Sequence, residues 1–349
     1  MNINSTHLIS ETRKGLLDPN RLARHRYVPV SDLKEPSDAH DGAVPLLRTH
    51  SIKPADSSCL LTQIQLSYAL GESNLPFLIK CLADKDPEVS RFAAMTLAKC
   101  AKKGITVQDA TFPLIKYLED HRVRLPAVVA LKEYAKRGLT DSRALIPLTN
   151  CLGDEDNETI CFAARALTEY AKKELTHPDV LKGLIDCLER NDDEKVLFYA
   201  TDALACYAYC DLTDPDALPL LFNQISDLDP KVRNSTARAL THYGRKGLFD
   251  KDVVLDLVKC LSAEEPLWAM RALVYYAKKG LVSEEEAKRT LESLELILRN
   301  DKASNQLVLE VLSLVSIIAP GHCNEFLNKV PAGKRFEILM YLENLKEKE

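Results

Sequence analysis

Apolar residues recur along this chain in pairs of helical stripes at a nearly constant interval. The first stripe of each pair ends in leucine or isoleucine, with another leucine four residues earlier, so both side chains lie on one face of an α-helix. We call this helix A. Its terminal apolar residues are Leu82, Leu118, Leu152, Leu188, Ile225 and Leu261. The shared register predicts a series of amphipathic helices that pack in the same way.

A second helix, called helix B, follows each helix A and carries alanine and leucine four residues apart. These pairs are Ala93 and Leu97, Ala127 and Leu131, Ala163 and Leu167, Ala200 and Leu204, and Ala269 and Leu273. Small side chains let neighbouring helices approach closely, so this face is predicted to be buried.

An acidic turn precedes each helix B. Its carboxylates are suited to cap the exposed N–H groups of a helix start and to meet the positive end of the helix dipole. The turns contain Asp84 and Asp86, Asp120, Asp154 to Asp156, Asp192 and Asp193, Asp227 and Asp229, and Glu264 and Glu265. We therefore predict that helix B begins directly after each of them.

Helix B ends in a recurring phrase: an aromatic residue, a small residue, two bases, glycine and an aliphatic residue. The bases complement the negative end of the helix dipole, and glycine suits the left-handed residue that ends a helix. Copies begin at Cys100, Tyr134, Tyr170, Tyr207, Tyr243 and Tyr276, about 33 to 37 residues apart, as expected for two-helix repeats. The chain is therefore predicted to be an all-α solenoid, an α-α superhelix of six to seven helical pairs.

Two stretches make a family resemblance specific. Asp86-Pro87-Glu88-Val89 and Asp229-Pro230-Lys231-Val232-Arg233 resemble the start of helix B in the HEAT repeat, and the bacterial HEAT-like form, including the PBS-lyase type, is the most similar. The resemblance covers about residues 75–320 and implies an armadillo-type fold whose B helices line a concave surface. The second unit departs from the pattern through a shortened turn and Pro126, and the fourth lacks the basic pair at Tyr209 and Cys210. We expect these two units to be irregular.

The repeat signal fades at both ends of the chain. Residues 1–54 have no sustained period and hold five of the seventeen prolines, so they are predicted to form a largely extended or disordered N-terminal arm. Residues 55–349 are predicted to form the solenoid. It begins with a capping helix at 57–71 and ends with a terminal helix at 335–347.

Composition narrows the function classes. A net charge of -5 argues against a nucleic-acid partner, because neutralising phosphates requires a surplus of lysine and arginine. The longest apolar stretch, Val308 to Pro320, is too short and too interrupted to span a membrane. Ten scattered cysteines without a CxxC pair are typical of reduced thiols, so a cytoplasmic location is expected.

The sequence offers no motif for catalysis or metal binding. The eight histidines include no HExxH motif and no His-Glu dipeptide, the iron-binding element of HEAT-type deoxyhypusine hydroxylases. P-loop and GxSxG motifs are also missing from the sequence. Four cysteines share the position before the last leucine of helix A, which favours packing over redox chemistry. They are Cys81, Cys151, Cys187 and Cys260. We predict a protein without enzymatic activity, metal or cofactor.

The candidate binding residues lie on the side of helix B that faces away from its buried alanines. They are Lys132, Arg165, Asp202, Arg238, His242, Trp268, Arg271 and Tyr275. By the resemblance they face a partner, and three arginines with a tryptophan suit an acidic segment of a protein. The alternative interpretation is a solvated face on which arginine and aspartate pair between repeats.

These observations predict a scaffold or adaptor that binds a protein through the concave face, with its oligomeric state left open. Three alternatives come from weaker signals. Repeat resemblance alone suggests a PBS-lyase-like enzyme or chaperone for a tetrapyrrole. The Glu- and Lys-rich tail from Glu343 to Glu349 suggests a bacterial effector secreted into a host cell. A HEAT-like DNA repair protein is the third, and the acidic net charge argues against it.

Overall fold

A computed structural model describes residues 64, 75–191, 193–263, 265–300, 303–335 and 337. Every regular element in these residues is a helix. The predicted arm at 1–54 and the tail at 343–349 lie outside the described residues, as do most of the capping and terminal helices. Within the two helices, Ile64, Arg335 and Glu337 are described and helical. Ile64 is fully buried against the repeats.

The described residues form seven pairs of an A helix followed by a B helix. The A helices are α1 (Leu75–Leu82), α3 (Thr111–Lys116), α5 (Leu145–Asn150), α7 (Pro178–Arg190), α9 (Leu218–Gln224), α11 (Val254–Cys260) and α13 (Glu284–Leu298). The B helices are α2 (Pro87–Lys102), α4 (Arg124–Lys136), α6 (Asn157–Ala171), α8 (Glu194–Tyr209), α10 (Pro230–Arg245), α12 (Leu267–Lys278) and α14 (Asn305–Ile318). A last helix, α15 (Cys323–Lys329), follows α14.

The B helices form the more closely packed layer. Each one contacts the next B helix more extensively than successive A helices contact each other. The predicted alanines, such as Ala163 and Ala200, are fully buried and allow this close approach. The B helices therefore form the continuous layer of the stack.

Aspartate side chains cap four of the B helices as predicted. Asp86, Asp156, Asp193 and Asp229 each accept a hydrogen bond from a backbone N–H in the first turn of the helix that follows. The Asp86 carboxylate, for example, accepts from the N–H of Glu88 at 3.0 Å. These caps determine where each helix begins.

The capping prediction was wrong at α4 and α12. These helices begin after Val123 and Pro266, neither of which makes a side-chain cap. Asp120 instead accepts from Arg122 at 2.8 Å within its own turn, and Glu265 accepts from Asn234 of α10 at 2.7 Å. Glu264 lies outside the described residues. Both carboxylates serve other partners because their turns do not place them at the first N–H groups of the helix.

The phrase at the end of helix B terminates the helix as predicted. Gly104, Gly138, Gly247 and Gly280 all have positive φ angles, from 70° to 89°. The aliphatic residue after the glycine then bonds back to the aromatic position, as the N–H of Leu139 does to the carbonyl of Tyr134 at 3.0 Å. The non-glycine residues Glu174 and Asp211 adopt the same left-handed conformation at the ends of α6 and α8, with φ angles of 61° and 69°.

The expected irregularity is confirmed in the second unit and limited in the fourth. Helix α4 has 13 residues and contains Pro126 in its first turn, whereas α2 has 16. Helix α8 has a regular 16 residues, and the missing basic pair changes only its end, where Asp211 replaces glycine. The Asp211 carboxylate lies 2.7 Å from both Arg245 and Lys246 of the fifth unit, so bases from the next repeat occupy the place of the missing pair.

The cysteines that share one position in the A helices are all buried. Burial raises the pKa of Cys151 to about 12 and those of Cys81 and Cys187 to about 11. Such thiols stay protonated at neutral pH and are poor nucleophiles, so the structure favours the predicted packing role.

Candidate protein-binding face

The candidate site is the side of the B helices opposite the A helices, which we call the B face. One position of this face lies two residues before the repeat leucine in every B helix. In chain order it holds Met95, Val129, Arg165, Asp202, Arg238, Arg271 and Glu310. The predicted Arg165, Asp202, Arg238 and Arg271 therefore lie in one row, as the sequence register requires.

Arg238 and Asp202 pair between helices α10 and α8. One guanidinium nitrogen of Arg238 lies 2.6 Å from the Asp202 carboxylate and donates to its backbone carbonyl at 2.8 Å. Arg238 is only 4% exposed. The pair corresponds to the predicted alternative of ion pairs between repeats, although its arginine is buried and its aspartate half-buried.

Arg271 and Glu310 form a second buried pair, between helices α12 and α14. The Nε of Arg271 donates to the Glu310 carboxylate at 2.7 Å, and the two residues are 4% and 0% exposed. The Arg271 guanidinium also lies 4.9 Å from the centre of the Trp268 ring. Sequence reasoning missed Glu310, although its position two residues before Leu312 matches the register of the other charged residues.

His242 fills the space between two aromatic rings. Its ring centre lies 5.4 Å from that of Tyr209 and 5.7 Å from that of Trp268. Burial, reinforced by nearby arginines, lowers the pKa of His242 to about 3, so the imidazole is neutral at physiological pH. The arginines are Arg238, Arg245 and Arg271.

Lys132 is buried beside an acid. Its amino group lies 2.7 Å from the Glu133 carboxylate and 4.8 Å from the centre of the Phe162 ring, and the lysine is 1% exposed. Burial, together with the positive charge of Arg165, lowers the pKa of Lys132 to about 8 in spite of Glu133. Lys132 is charged at neutral pH. It contributes to the positive electrostatic potential of the B face although its side chain is buried.

Arg165 stacks on aromatic rings from two helices. Its guanidinium lies 5.3 Å from the Phe162 ring centre and 5.0 Å from that of Tyr199 on α8. All three side chains are half-buried, so one edge of this arrangement meets solvent. A guanidinium held by cation–π contacts keeps a defined orientation toward solvent.

Exposure divides the B face into two stretches. In the open stretch, formed by α2, α4, α6 and α8, Met95 and Lys99 are exposed and Val129 and Arg165 are half-buried. In the closed stretch, formed by α10, α12 and α14, every residue from Ser235 to Gly244 is buried. Trp268 and Tyr275 are half-buried in the closed stretch. The eight predicted residues are thus split between two environments.

Bases at the ends of the B helices also join neighbouring repeats. Arg137 donates to the carbonyls of Ala101 and Lys102 at the end of α2, at 3.1 and 2.6 Å. Arg245 donates to the carbonyls of Ala208 and Tyr209 at the end of α8, at 3.2 and 2.8 Å. Sequence reasoning assigned these bases to the dipole of their own helix, whereas they also satisfy the last carbonyls of the preceding B helix.

The described residues contain neither a metal-binding cluster nor a membrane-spanning helix. No group of three or more His, Cys, Asp or Glu side chains in them is arranged to hold a metal ion. None of their helices combines the length and apolar character needed to cross a membrane.

The fold defines this protein as a helical-repeat solenoid with a continuous B face. The family model for HEAT repeats matches residues 75–168 and 181–277, more than half of the chain. The chain belongs to the HEAT-repeat family. No curated protein matches it.

Solved structures of repeat proteins resemble the chain at low sequence identity. YibA of E. coli is 15% identical with a TM-score of 0.49, covering 86% of this chain and 100% of that chain. A designed armadillo repeat protein is 19% identical with a TM-score of 0.41, covering 69% and 99%. A structure of the complex of CpcE and CpcF of phycocyanin lyase from Nostoc sp. is 19% identical with a TM-score of 0.38, covering 79% and 100%.

Proposed function

We propose that this protein is a non-catalytic scaffold or adaptor whose B face binds an acidic segment of another protein. The observation that carries the proposal is the stacking of Arg165 between the rings of Phe162 and Tyr199 on the open stretch. Arginine in a fixed orientation beside aromatic surface recognises carboxylates with both charge and geometry. Half-buried aromatic residues also supply the anchors that dominate protein interfaces.

The charge balance of α2, α4 and α6, three of the four helices of the open stretch, supports an acidic partner, although the whole chain carries a net charge of -5. Along the B face of α2, α4 and α6, cations outnumber anions. The cations are Arg91, Lys99, Lys102, Lys132, Lys136, Arg165 and Lys172, and the anions are Glu88, Glu133, Glu158 and Glu169. A local positive surface attracts acidic segments and speeds their association.

The closed stretch has a different role in this proposal. Arg238 and Arg271 hold neighbouring repeats together through buried ion pairs, so they shape the face rather than contact the partner. Trp268 and Tyr275 are half-buried and extend the contact surface at this end.

A peptide-display selection on the immobilised full-length protein tests the proposal. We expect enrichment of peptides that combine Asp or Glu with apolar residues, and affinities that fall as salt is raised. Arg165→Glu is expected to weaken these peptides by about tenfold, equivalent to about 1.4 kcal/mol.

The matched control is Lys182→Glu, which makes the same kind of charge change at an exposed position of A helix α7. It should leave peptide affinity unchanged. Selection without enrichment of acidic peptides, or equal effects of the two variants, would contradict the proposed site.

A further inference from the structure

A three-residue repeat in the N-terminal arm has no role in the predicted solenoid. Residues 30–41 read Val-Ser-Asp, Leu-Lys-Glu, Pro-Ser-Asp and Ala-His-Asp. In every triplet the first residue is apolar, the second is polar or basic, and the third is a carboxylate. The carboxylates are Asp32, Glu35, Asp38 and Asp41, and Lys34 is the only Lys or Arg among them.

A period of three matches the polyproline II helix, which has three residues per turn and a rise of about 3.1 Å per residue. In that conformation each residue class forms a separate edge, and the carboxylates recur about every 9 Å along one of them. Pro29 and Pro36 favour this conformation. The triplet spacing is therefore the one that would place the carboxylates and the apolar residues on separate edges if the segment adopted this conformation.

The open stretch of the B face repeats at a matching interval, because packed helices lie about 8 to 10 Å apart. The position five residues after the repeat leucine holds a lysine in three successive B helices. They are Lys102 of α2, Lys136 of α4 and Lys172 of α6. Two helical turns before these lysines, on the same side of α2 and α4, lie the apolar side chains of Met95, which is 36% exposed, and Val129, which is half-buried.

Lysines of this row also contact acids of their own helices. Lys136 lies 3.9 Å from Glu133, and Lys172 lies 2.8 Å from Glu169. Pairs of this kind, three residues apart on a helix and partly exposed, contribute only about 0.5 kcal/mol and exchange readily with another carboxylate. The row therefore retains its attraction for an anionic rod.

We propose that residues 30–41 bind the open stretch of the same molecule, with their carboxylates along the lysine row and their apolar edge on Met95 and Val129. The inference rests on the proposed function, because it gives the binding face an internal competitor. An external acidic segment then has to displace the arm, so the arm sets a threshold for partner binding.

The connection to the repeats is long enough for this contact. Ile64 is packed in the core, and about 22 residues separate it from Asp41. A chain of that length spans about 75 Å when extended and about 26 Å on average as a coil. Three adjacent helices span only about 20 Å between their axes. A tether of this kind presents the arm to the face at an effective concentration of about 1 mM.

The test uses the full chain with a neutralised arm, D32N/E35Q/D38N/D41N, and a labelled synthetic peptide with the sequence of residues 27–44. We expect the peptide to bind the neutralised-arm protein at least about tenfold more tightly than the wild type, because the tethered competitor is gone. Adding Lys136→Glu to the neutralised-arm protein should abolish that gain. Equal affinity of the peptide for wild type and neutralised arm would overturn the proposal.

A matched control keeps composition and charge while it moves carboxylates out of the three-residue register. If the acidic edge binds, the variant S31D/D32S/S37D/D38S should bind the peptide as tightly as the neutralised arm does. If it binds the peptide as weakly as the wild type does, only net charge matters, and the docking geometry is overturned. Carbodiimide cross-linking of wild type mixed with isotope-labelled chains provides a second readout. We expect links within one chain from residues 32–41 to Lys102 or Lys136, whereas equal links to Lys182 would contradict the site.

The two proposals fail in different ways. If peptides from the display selection bind wild type and neutralised arm with equal affinity, the arm does not compete and only the internal contact is wrong. If no acidic peptide binds either protein, the proposed binding function is wrong as well.

Discussion

The open and closed stretches of the B face use the same register position for opposite purposes. In the closed stretch, Arg271 meets Glu310 on the next B helix, and Arg238 meets Asp202 at its border with the open stretch. Both arginines and Glu310 are buried, whereas Asp202 is half-buried. Arg165 occupies the same position in the open stretch, where the aromatic rings of Phe162 and Tyr199 pack against it. The comparison teaches that the neighbouring repeat decides whether a charge at this position is buried in an ion pair or half-buried beside aromatic rings.

The largest expected effect comes from removing one partner of a buried ion pair in the closed stretch. Arg271→Ala leaves the Glu310 carboxylate, which is 0% exposed, without its guanidinium, and we expect a loss of about 3 to 5 kcal/mol in the free energy of unfolding. Denaturant titration of the full chain measures this loss.

Arg165→Ala is the matched control in the open stretch and should cost no more than about 1 kcal/mol, because its contacts are half-exposed cation–π contacts. The double variant R271M/E310L should recover much of the stability lost in Arg271→Ala, since apolar residues of similar size replace both charges. Equal losses in Arg271→Ala and Arg165→Ala would remove the distinction between the stretches.

The buried lysine of the open stretch makes the free energy of unfolding vary with pH in the alkaline range. The pKa of Lys132 is about 8 in the folded protein and 10.5 as the ordinary value, so between these values the unfolded chain holds a proton that the folded protein has released. Stability contributed by this group therefore increases as pH rises from 8 toward 10.5. Relative to Lys132→Met, we expect the wild type to gain about 2 kcal/mol between pH 7 and pH 10.

Comparing Lys132→Met with the wild type at each pH isolates the lysine, because buried thiols and phenols ionise in both proteins. Denaturant titrations at pH 7, 8.5 and 10 provide the measurement. Parallel pH profiles for the two proteins would show that the Lys132 amine titrates normally.

The buried histidine of the closed stretch makes the free energy of unfolding vary with pH in the acidic range. The pKa of His242 is about 3 in the folded protein against an ordinary 6.5, so the unfolded chain takes up a proton first as pH falls. The stability due to neutral His242 is fully present above pH 6.5 and is lost as pH falls toward 3. Between pH 7.5 and pH 5.5, the wild type should lose about 1 kcal/mol more than His242→Phe, measured by urea titration. An identical loss in both proteins would contradict burial of the imidazole.

The smallest expected effect concerns the open stretch, where the B helices α6 and α8 end without glycine. Glu174 adopts a φ of 61°, which costs a residue with a side chain about 1 kcal/mol relative to glycine. Glu174→Gly should therefore stabilise the protein by about 0.5 to 1 kcal/mol, seen as a higher melting temperature.

Gly138→Ala is the matched opposite change. Its φ is 84° and an added Cβ meets no atom within 4 Å, so the expected destabilisation reports backbone conformation alone. Changes of the same sign in Glu174→Gly and Gly138→Ala would contradict the assignment of these two positions to equivalent helix ends.

Local sequence signals predicted much of the fold correctly. The Asp-Pro starts at Asp86 and Asp229 cap α2 and α10, and the glycine of each complete phrase ends its helix, because both depend on residues within one or two turns. The capping predictions failed at α4 and α12 because the local conformation of the turn differs there. There the acidic residues are present, but the path of the turn directs their side chains to other partners.

The site was predicted less completely, because exposure depends on residues far away in the chain. Arg165 and Arg238 have the same register, yet Arg238 is buried since Asp202 stands 36 residues before it, whereas Arg165 lies against rings. Glu310 was absent from the predicted set because the last repeat has lost most other marks of the family. The role of its charge is evident only from the packing of α14 against α12, where Glu310 pairs with Arg271.

The amino-acid pattern alone determined that this chain is a HEAT-repeat solenoid, which residues end its helices, and which side chains share the B face. Those properties follow from periodicity and from contacts within a few residues. Stacking of successive B helices decided which charges were paired and buried, how far the pKa values of Lys132 and His242 were displaced, and which half of the face stayed open. These outcomes depend on desolvation and on partners about one repeat away, and such interactions exist only once neighbouring helices are packed together.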